Sequence, residues 1–447
     1  MSEGCKKLLT IFVLAATVLI AILPMRLAPL WNGEQPGHRN QYEKLAEAFL
    51  EGHLDIDYGD MDPKLLALEN PYDPAERQKA GVFYHWDHSF FNGKYYMYFG
   101  VVPVVLVFLP FRAVFGTSLT TYHGTQFFAA VFIIGVFALF FLLRKRFFKD
   151  LSYGATVLLS AAVSFMSVWY ASAAPAMYCT AIASGLAMEI WSSYFFVKAV
   201  YVTESENRAV FFAFFGALFG ALAFGCRPPV ALANVLVIPM LIDFIRVRKF
   251  SLKLLGKLVL AALPYFVIGG ALMWYNYARF GSVTEFGQSY QLTMVDASQG
   301  FQLTAQGLVG GLTYYLWKTD GGDLLLNYGA VFTFPILLLS ILPFFRKEAR
   351  GMLKKVLPLY AVLLALPVLI AAVDTAGSPA LLPRYRMDVY WILGLASFAG
   401  IGVFGQTIGN KKFYSGIVGI LAVAAIVMSI ILFYVPYDAN FASTLVK

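Results

Sequence analysis

The chain has 447 residues, 59% hydrophobic and 13% charged, with a mean hydropathy of +0.68. Soluble domains carry about 25% charged residues. A water-soluble fold of this size also exposes much of its area, so this composition excludes one. The formal net charge of +8 comes from 34 Lys and Arg against 26 Asp and Glu. The basic residues fall in short clusters between apolar runs, which makes them topology signals and gives no reason to expect a nucleic-acid partner.

In a bilayer every backbone polar group must be bonded internally, which leaves helices or a closed barrel. The apolar runs are continuous, not alternating, and roughly 18–25 residues long, so they are helices. In chain order the expected spans are 7–27, 121–143, 153–173, 179–201, 208–226, 229–246, 254–276, 328–345, 354–373, 388–408 and 413–434. The first follows Lys6-Lys7 and ends at Pro24-Met25-Arg26, which is no small-residue cleavage site, so an uncleaved span is expected. Cys5, Cys179 and Cys226 lie far apart and show neither metal nor disulfide spacing.

The stretch 97–115 is apolar but short and contains Pro103 and Pro110, which lack a backbone donor. Basic residues favour the cytoplasmic side. Lys6-Lys7, Arg144–Lys149, Arg246–Lys257, Arg346–Lys355 and Lys411-Lys412 all share one side only if 97–115 does not cross. The expected architecture is therefore an all-α polytopic membrane protein, one membrane domain over 1–447, with about 11 transmembrane helices. Its N-terminus is cytoplasmic and it lies in the cytoplasmic membrane. A first outer loop, 28–120, carries amphipathic and juxtamembrane helices, and a second large outer loop covers 277–327. The outer face also receives the turns 174–178, Cys226–Pro229 and 374–387.

Within the first loop, Tyr42, Leu45, Ala46, Phe49 and Leu50 fall on one face of a helix over Asn40–Glu51, stopped by Gly52. It is expected to lie along the membrane surface. Asp55, Asp57, Asp60 and Asp62 follow in an irregular stretch. Four carboxylates in eight residues are a possible divalent-cation site. They lack the glycine and glutamate of a calcium loop, so a solvated acidic loop is preferred and neither metal nor cofactor is expected. One of these acids, Asp55 or Asp57, is a candidate catalytic base. Asp87, in His85-Trp86-Asp87-His88, is another, against the plainer role of a capping residue among interfacial aromatics. Asn92-Gly93 is a tight-turn signal, and Lys94, beside Tyr95-Tyr96, is either a lipid-phosphate contact or a snorkelling lysine. Arg227, Arg384 and Arg386 stand at outer helix ends, against the positive-inside bias. Guanidinium groups match phosphate oxygens, so these arginines suggest a bound phosphodiester or diphosphate; the alternative is pairing with Asp374, Asp388 or loop carboxylates.

Taken in order, these pieces resemble the GT-C superfamily of integral-membrane glycosyltransferases, in particular the aminoarabinose-transferase and protein-mannosyltransferase-like enzymes. The resemblance is carried by the first span and long loop, the stretch Gln41–Leu54, Trp86-Asp87, and Asn92–Gly100 with Pro103. It continues through Gly225-Cys226-Arg227-Pro228, Tyr275-Asn276-Tyr277, Arg279–Ser282, Glu285-Phe286-Gly287, and Arg384-Tyr385 with Asp388. It implies a GT-C-like fold and an inverting transfer of a sugar from a polyprenyl-phosphate donor to an envelope glycan, lipid or protein acceptor at the outer face. A first-loop acid would act as base, and Lys94, Arg227, Arg384, Arg386 and Tyr96 would hold the donor. Two departures stand out. Relatives often carry an acid just before the tyrosine of the first-loop helix, where Gly37–Gln41 has none, and a second acid where this chain reads Met177-Tyr178-Cys179-Thr180. Asp55, Asp57 or Asp87 would have to serve instead. The competing functions are a transporter or flippase for a lipid-linked sugar and a non-catalytic protein with a degenerate form of the fold.

Overall fold

The computed structural model describes residues 2–27, 40–300, 303–317, 329–354, 356–377 and 381–433. Gly37-His38-Arg39 and parts of the second large loop lie outside the described residues. The fold is all-α and polytopic. Among the described residues nine helices are long and apolar enough to cross a membrane: Glu3–Arg26, Thr121–Arg146, Tyr153–Ala173, Glu206–Phe224, Pro228–Arg248, Leu252–Phe280, Leu357–Gly377, Pro383–Gln406 and Lys411–Phe433. Each corresponds to an expected span.

The other two expected spans differ in kind. Met177–Val197 continues through a π-turn at Lys198–Val202 and is buried along most of its length. It carries Thr180, Ser184, Glu189, Ser192 and Ser193, all buried, because protein surrounds it, as it does Tyr153–Ala173 and Pro383–Gln406. The stretch 328–345 is replaced by Ala330–Thr333 and a 3-10 helix, Pro335–Phe345. Pro335 opens that helix and Pro343 interrupts its donors.

Serine and threonine caps start several helices. Thr120 accepts from His123 N–H, Ser152 from Ala155 N–H, and Ser251 from Leu254 N–H. The basic clusters meet at one end of the bundle. Tyr153 donates to the Lys6 carbonyl at 2.9 Å and lies under the Arg144 guanidinium, 5.5 Å from its ring centroid. Lys411 pairs with Asp150 at 3.0 Å, Arg146 donates to the Tyr201 carbonyl at 2.6 Å, and Lys257 pairs with Glu206. Gln126 donates to the Ile22 carbonyl at the opposite end, where the long first loop sits.

There Val104–Phe108, a π-turn, runs into Leu109–Phe115. At about 1.5 Å per residue this helix covers about 18 Å, short of a hydrocarbon core of about 30 Å. The helix Gln41–Glu51 docks on it. Tyr42 stacks on Phe108 at 5.3 Å and on Phe99 at 6.3 Å, and Leu45 and Ala46 are buried with it. Its apolar face therefore packs on protein, with Leu50 left 53% exposed, and does not simply rest on lipid. Gly52, at φ 85°, ends the helix.

One close approach fixes the loop on the bundle. A side chain at Gly100 would stand 2.2 Å from the Gly225 carbonyl oxygen, and Val102 N–H donates to that same carbonyl at 3.0 Å. Only a residue without a Cβ fits there.

Glu43 clamps the docked helix from the other side. Its Oε1 accepts from Thr121 N–H at 2.6 Å and from the Thr121 hydroxyl at 3.1 Å, at the start of Thr121–Arg146. Burial outweighs these bonds and raises its pKa to about 7. An acid with a raised folded-state pKa binds more protons folded than unfolded between its ordinary value and about 7, so this group's contribution to stability falls as pH rises through that window. Glu43→Gln should flatten the dependence of Tm on pH between about 4.5 and about 7. Glu43→Ala, which also leaves Thr121 without its acceptor, should lower Tm most at the acid end of that window and less as pH rises through it. Thermal unfolding in nanodiscs across that range checks both.

Candidate active site

The site is built where the two long loops meet the helix ends. In the first loop, Ser89–Phe91 and Lys94–Tyr96 form an antiparallel hairpin with Ser89 opposite Tyr96. Its turn is Asn92-Gly93, at φ 49° and 75°, a two-residue turn with both central residues left-handed. Just before the hairpin, Asp87 has φ 56°. That conformation is uncommon for a non-glycine residue and persists only where the surroundings hold it. The second loop does so. Asp87 N–H donates to the Leu292 carbonyl at 2.9 Å, and Leu292 N–H donates to the His88 carbonyl at 2.8 Å. Gln41 donates to the Asp87 carbonyl at 2.8 Å.

The Asp87 carboxylate lines a cavity of about 1180 Å³. Trp86, Tyr98, Tyr178, Arg227, Arg384 and Tyr385 line it too, as do Glu285 and Gln291 of the second loop. Tyr178 O–H donates to Asp87 Oδ2, and Gln291 Nε2 donates to Oδ1 at 2.9 Å.

The arginines divide. Arg227 grips Asp388, with Nε 3.2 Å from both carboxylate oxygens and a further bond from its terminal nitrogen. It also lies 3.7 Å from Asp374, whose other oxygen accepts from Tyr315 O–H at 2.8 Å. Burial works against the Arg227 charge, but the carboxylates more than offset it and hold its pKa above the ordinary value. Arg384 is different. Its guanidinium lies over the Tyr178 ring at 4.0 Å and near the Tyr385 ring at 5.3 Å. Among the described residues no carboxylate comes within ion-pair distance of it. Arg386, two residues on, is 1% exposed, donates to the Tyr314 carbonyl at 3.3 Å and lies over the Tyr314 ring. It is not among the residues lining the cavity.

The remaining candidates sit on the outer side of the hairpin. Lys94 pairs with Asp55 at 3.0 Å, which raises the lysine pKa. Asp57 accepts from Gly59 N–H at 2.8 Å. Tyr96 packs edge-on against Phe280, 5.3 Å away. None of the four lines the cavity. The acidic run does not converge: Asp60 bonds His85 at 2.8 Å, and Asp62 caps Pro63–Leu66 and accepts from Phe83 N–H. Among the described residues no cluster of three or more His, Cys, Asp or Glu is arranged to hold a metal. Tyr178 and Gln291 carry no sequence signal of their own, Tyr178 standing out only as the residue found where an acid was sought, while Glu285 belongs to the Glu285-Phe286-Gly287 motif.

A second hollow of about 580 Å³ adjoins the cavity. It is walled by Phe49, Leu54, Val105, Leu106, Leu222 and Val267, almost wholly apolar, and shares Val101, Leu272 and Tyr275 with the polar cavity.

Removing one partner of a buried ion pair costs about 3–5 kcal/mol, because the other charge is left unpaired. Arg227→Ala should therefore lower Tm by several degrees, whereas Arg384→Ala gives up only ring contacts worth about 1 kcal/mol. Parallel melts of the two variants test the division of labour.

No protein-family pattern matches the sequence, and no curated protein matches it. Solved structures do. The chain is similar to the Archaeoglobus fulgidus oligosaccharyltransferase in its apo form, with a TM-score of 0.51 and 12% identity over 98% of this chain. The same archaeal protein, AglB, in complex with an inhibitory peptide and a dolichol-phosphate, matches with a TM-score of 0.50 and 15% identity, over 98% of this chain and 56% of that one. ArnT from Cupriavidus metallidurans bound to undecaprenyl phosphate matches more loosely, at a TM-score of 0.43 and 13% identity, over 98% of this chain and 77% of that one. The chain spans about 57% of the length of the oligosaccharyltransferase. The likeness is one of fold: this chain shares the polytopic helical architecture of that archaeal protein.

Proposed function

We propose that this chain is an inverting membrane glycosyltransferase that takes a sugar from a polyprenyl-phosphate donor and passes it to an envelope acceptor. The observation that carries this reading is the pairing of two hollows: a polar cavity lined by the Asp87 carboxylate and by Arg384, which has no carboxylate partner among the described residues, next to an almost wholly apolar groove. A lipid phosphate has that shape, an anion at the end of a hydrocarbon chain. The dolichol-phosphate bound to the archaeal structure of the same fold supports the donor class. The concentration of basic clusters at the far end of the bundle supports a cytoplasmic N-terminus and an external cavity.

In this scheme Arg384 meets the donor phosphate, with Arg227 locked behind it by Asp388. The acceptor hydroxyl gives its proton to Asp87 and its oxygen forms a bond to the anomeric carbon. The bond from that carbon to the phosphate oxygen breaks, and its electron pair leaves with the lipid phosphate. The charge building on that oxygen falls beside a preorganised cation, the arrangement that lowers such barriers most. Attack on the face opposite the leaving group inverts the anomeric configuration.

The test is binding in nanodiscs of undecaprenyl phosphate against undecaprenol, which lacks the phosphate. Wild-type protein should prefer the phosphate by at least about tenfold, a difference of about 1.4 kcal/mol. Arg384→Ala should lose the preference. Equal binding of the two lipids by wild-type protein would refute the proposal.

A further inference from the structure

The Asp87 carboxylate is held as few cavity acids are. One oxygen accepts from Tyr178 O–H and the other from Gln291 Nε2, while the backbone is fixed from both sides by Leu292. The donors come from separate parts of the chain, Tyr178 from the start of Met177–Val197 and Gln291 from the second loop. Each carboxylate oxygen has further accepting capacity, so the carboxylate can take both bonds and still receive a proton from a third group.

We propose that Tyr178 and Gln291 are positioning residues for Asp87: they hold its carboxylate aimed into the cavity, so the base is in place only while the second outer loop is docked. The proposal rests on Asp87 being the base of the transfer proposed above. Tyr178 does more than a bare hydroxyl, because the Arg384 guanidinium over its ring draws electron density and strengthens the phenol as a donor. The phosphate-binding cation and the base are thus joined through one aromatic ring.

The other ionisable groups around the cavity do not compete for this acid. Tyr98, Arg384 and Tyr385 line the same space without a hydrogen bond to the Asp87 carboxylate. Glu285 accepts from Gly287 N–H at 2.6 Å. His88, next in the chain, presents Nε2 to Tyr58 O–H at 2.8 Å. Asp388 and Asp374 are engaged by Arg227.

Both loops tie this arrangement to the bundle. Ser89 Oγ donates to the Gly287 carbonyl at 2.6 Å, and Gln288 donates to the Gly377 carbonyl at 2.7 Å, at the end of Leu357–Gly377. The second loop is therefore strapped just before the residue that touches the base.

The test reads the acid directly and needs no substrate. A water-soluble carbodiimide with glycine ethyl ester labels protonated carboxyl groups. Full-length protein in nanodiscs is labelled across a pH series and modification at Asp87 is followed by peptide mass spectrometry. Tyr178→Phe and Gln291→Ala should each move the labelling midpoint upward by about one pH unit, and Gln291→Glu, which sets a like charge against the acid, should move it further. Labelling midpoints unchanged in Q291A and Q291E would overturn the proposal, and if Tyr178→Phe does not fold these two variants decide the matter alone. Thermal unfolding of each variant identifies misfolding. The lipid preference of the wild-type protein is measured separately. A shifted midpoint without that preference would leave the positioning role standing and sink the transferase reading.

Discussion

The grip of Arg227 on Asp388 and Asp374 is the constraint around which the cavity is organised. It joins the turn after Glu206–Phe224 to two helices that follow much later in the chain, Leu357–Gly377 and Pro383–Gln406. A guanidinium buried among apolar helices would be intolerable alone, and so would either aspartate. Together with the Tyr315 hydroxyl they form a polar knot that fixes three helix ends in mutual register. Because that cation is consumed in holding the floor of the site, the neighbouring Arg384 is left to face the cavity with aromatic rings, and no carboxylate, beside it among the described residues.

The first loop reaches this floor by steric fit more than by charge. Gly100 passes against the Gly225 carbonyl, Tyr42 stacks into Phe99 and Phe108, and Glu43 closes over the start of Thr121–Arg146. The loop is thus a packed lid of helices and a hairpin. Asp87 can hold a left-handed backbone at its edge because its neighbours on every side are fixed.

Much of the architecture was legible in the sequence because it rests on one-dimensional signals. Long apolar runs mark the helices, clustered lysines and arginines mark one end of the bundle, and Asn92-Gly93 marks a hairpin whose left-handed turn requires such residues. Prolines were less telling: Pro103 and Pro110 indicated a short helix, but Pro335 and Pro343 turn an expected span into a 3-10 segment. The candidate site was only partly legible. Asp87, Arg227 and Arg384 are brought to one cavity, while Asp55 and Lys94 satisfy each other on the outer side of the hairpin and Arg386 turns to Tyr314. Whether an ionisable side chain faces a cavity or a neighbour depends on pairings between residues far apart in the chain, which no local pattern records. Tyr178 and Gln291 show the same limit, since an ordinary tyrosine and glutamine gain meaning only from the acid they contact.

The buried polar helix Met177–Val197 bears on how this protein is made. Its acid, Glu189, accepts from Asn234, a residue of Pro228–Arg248, which is synthesised one intervening span later. Until that partner arrives, the helix carries an ionisable side chain whose bond within the bundle is not yet made. It packs most extensively along Thr121–Arg146, which is already present when it emerges. Assembly of this part of the bundle is therefore complete only once Pro228–Arg248 is in place, because the polar groups of Met177–Val197 find their partners in neighbours made both before and after it.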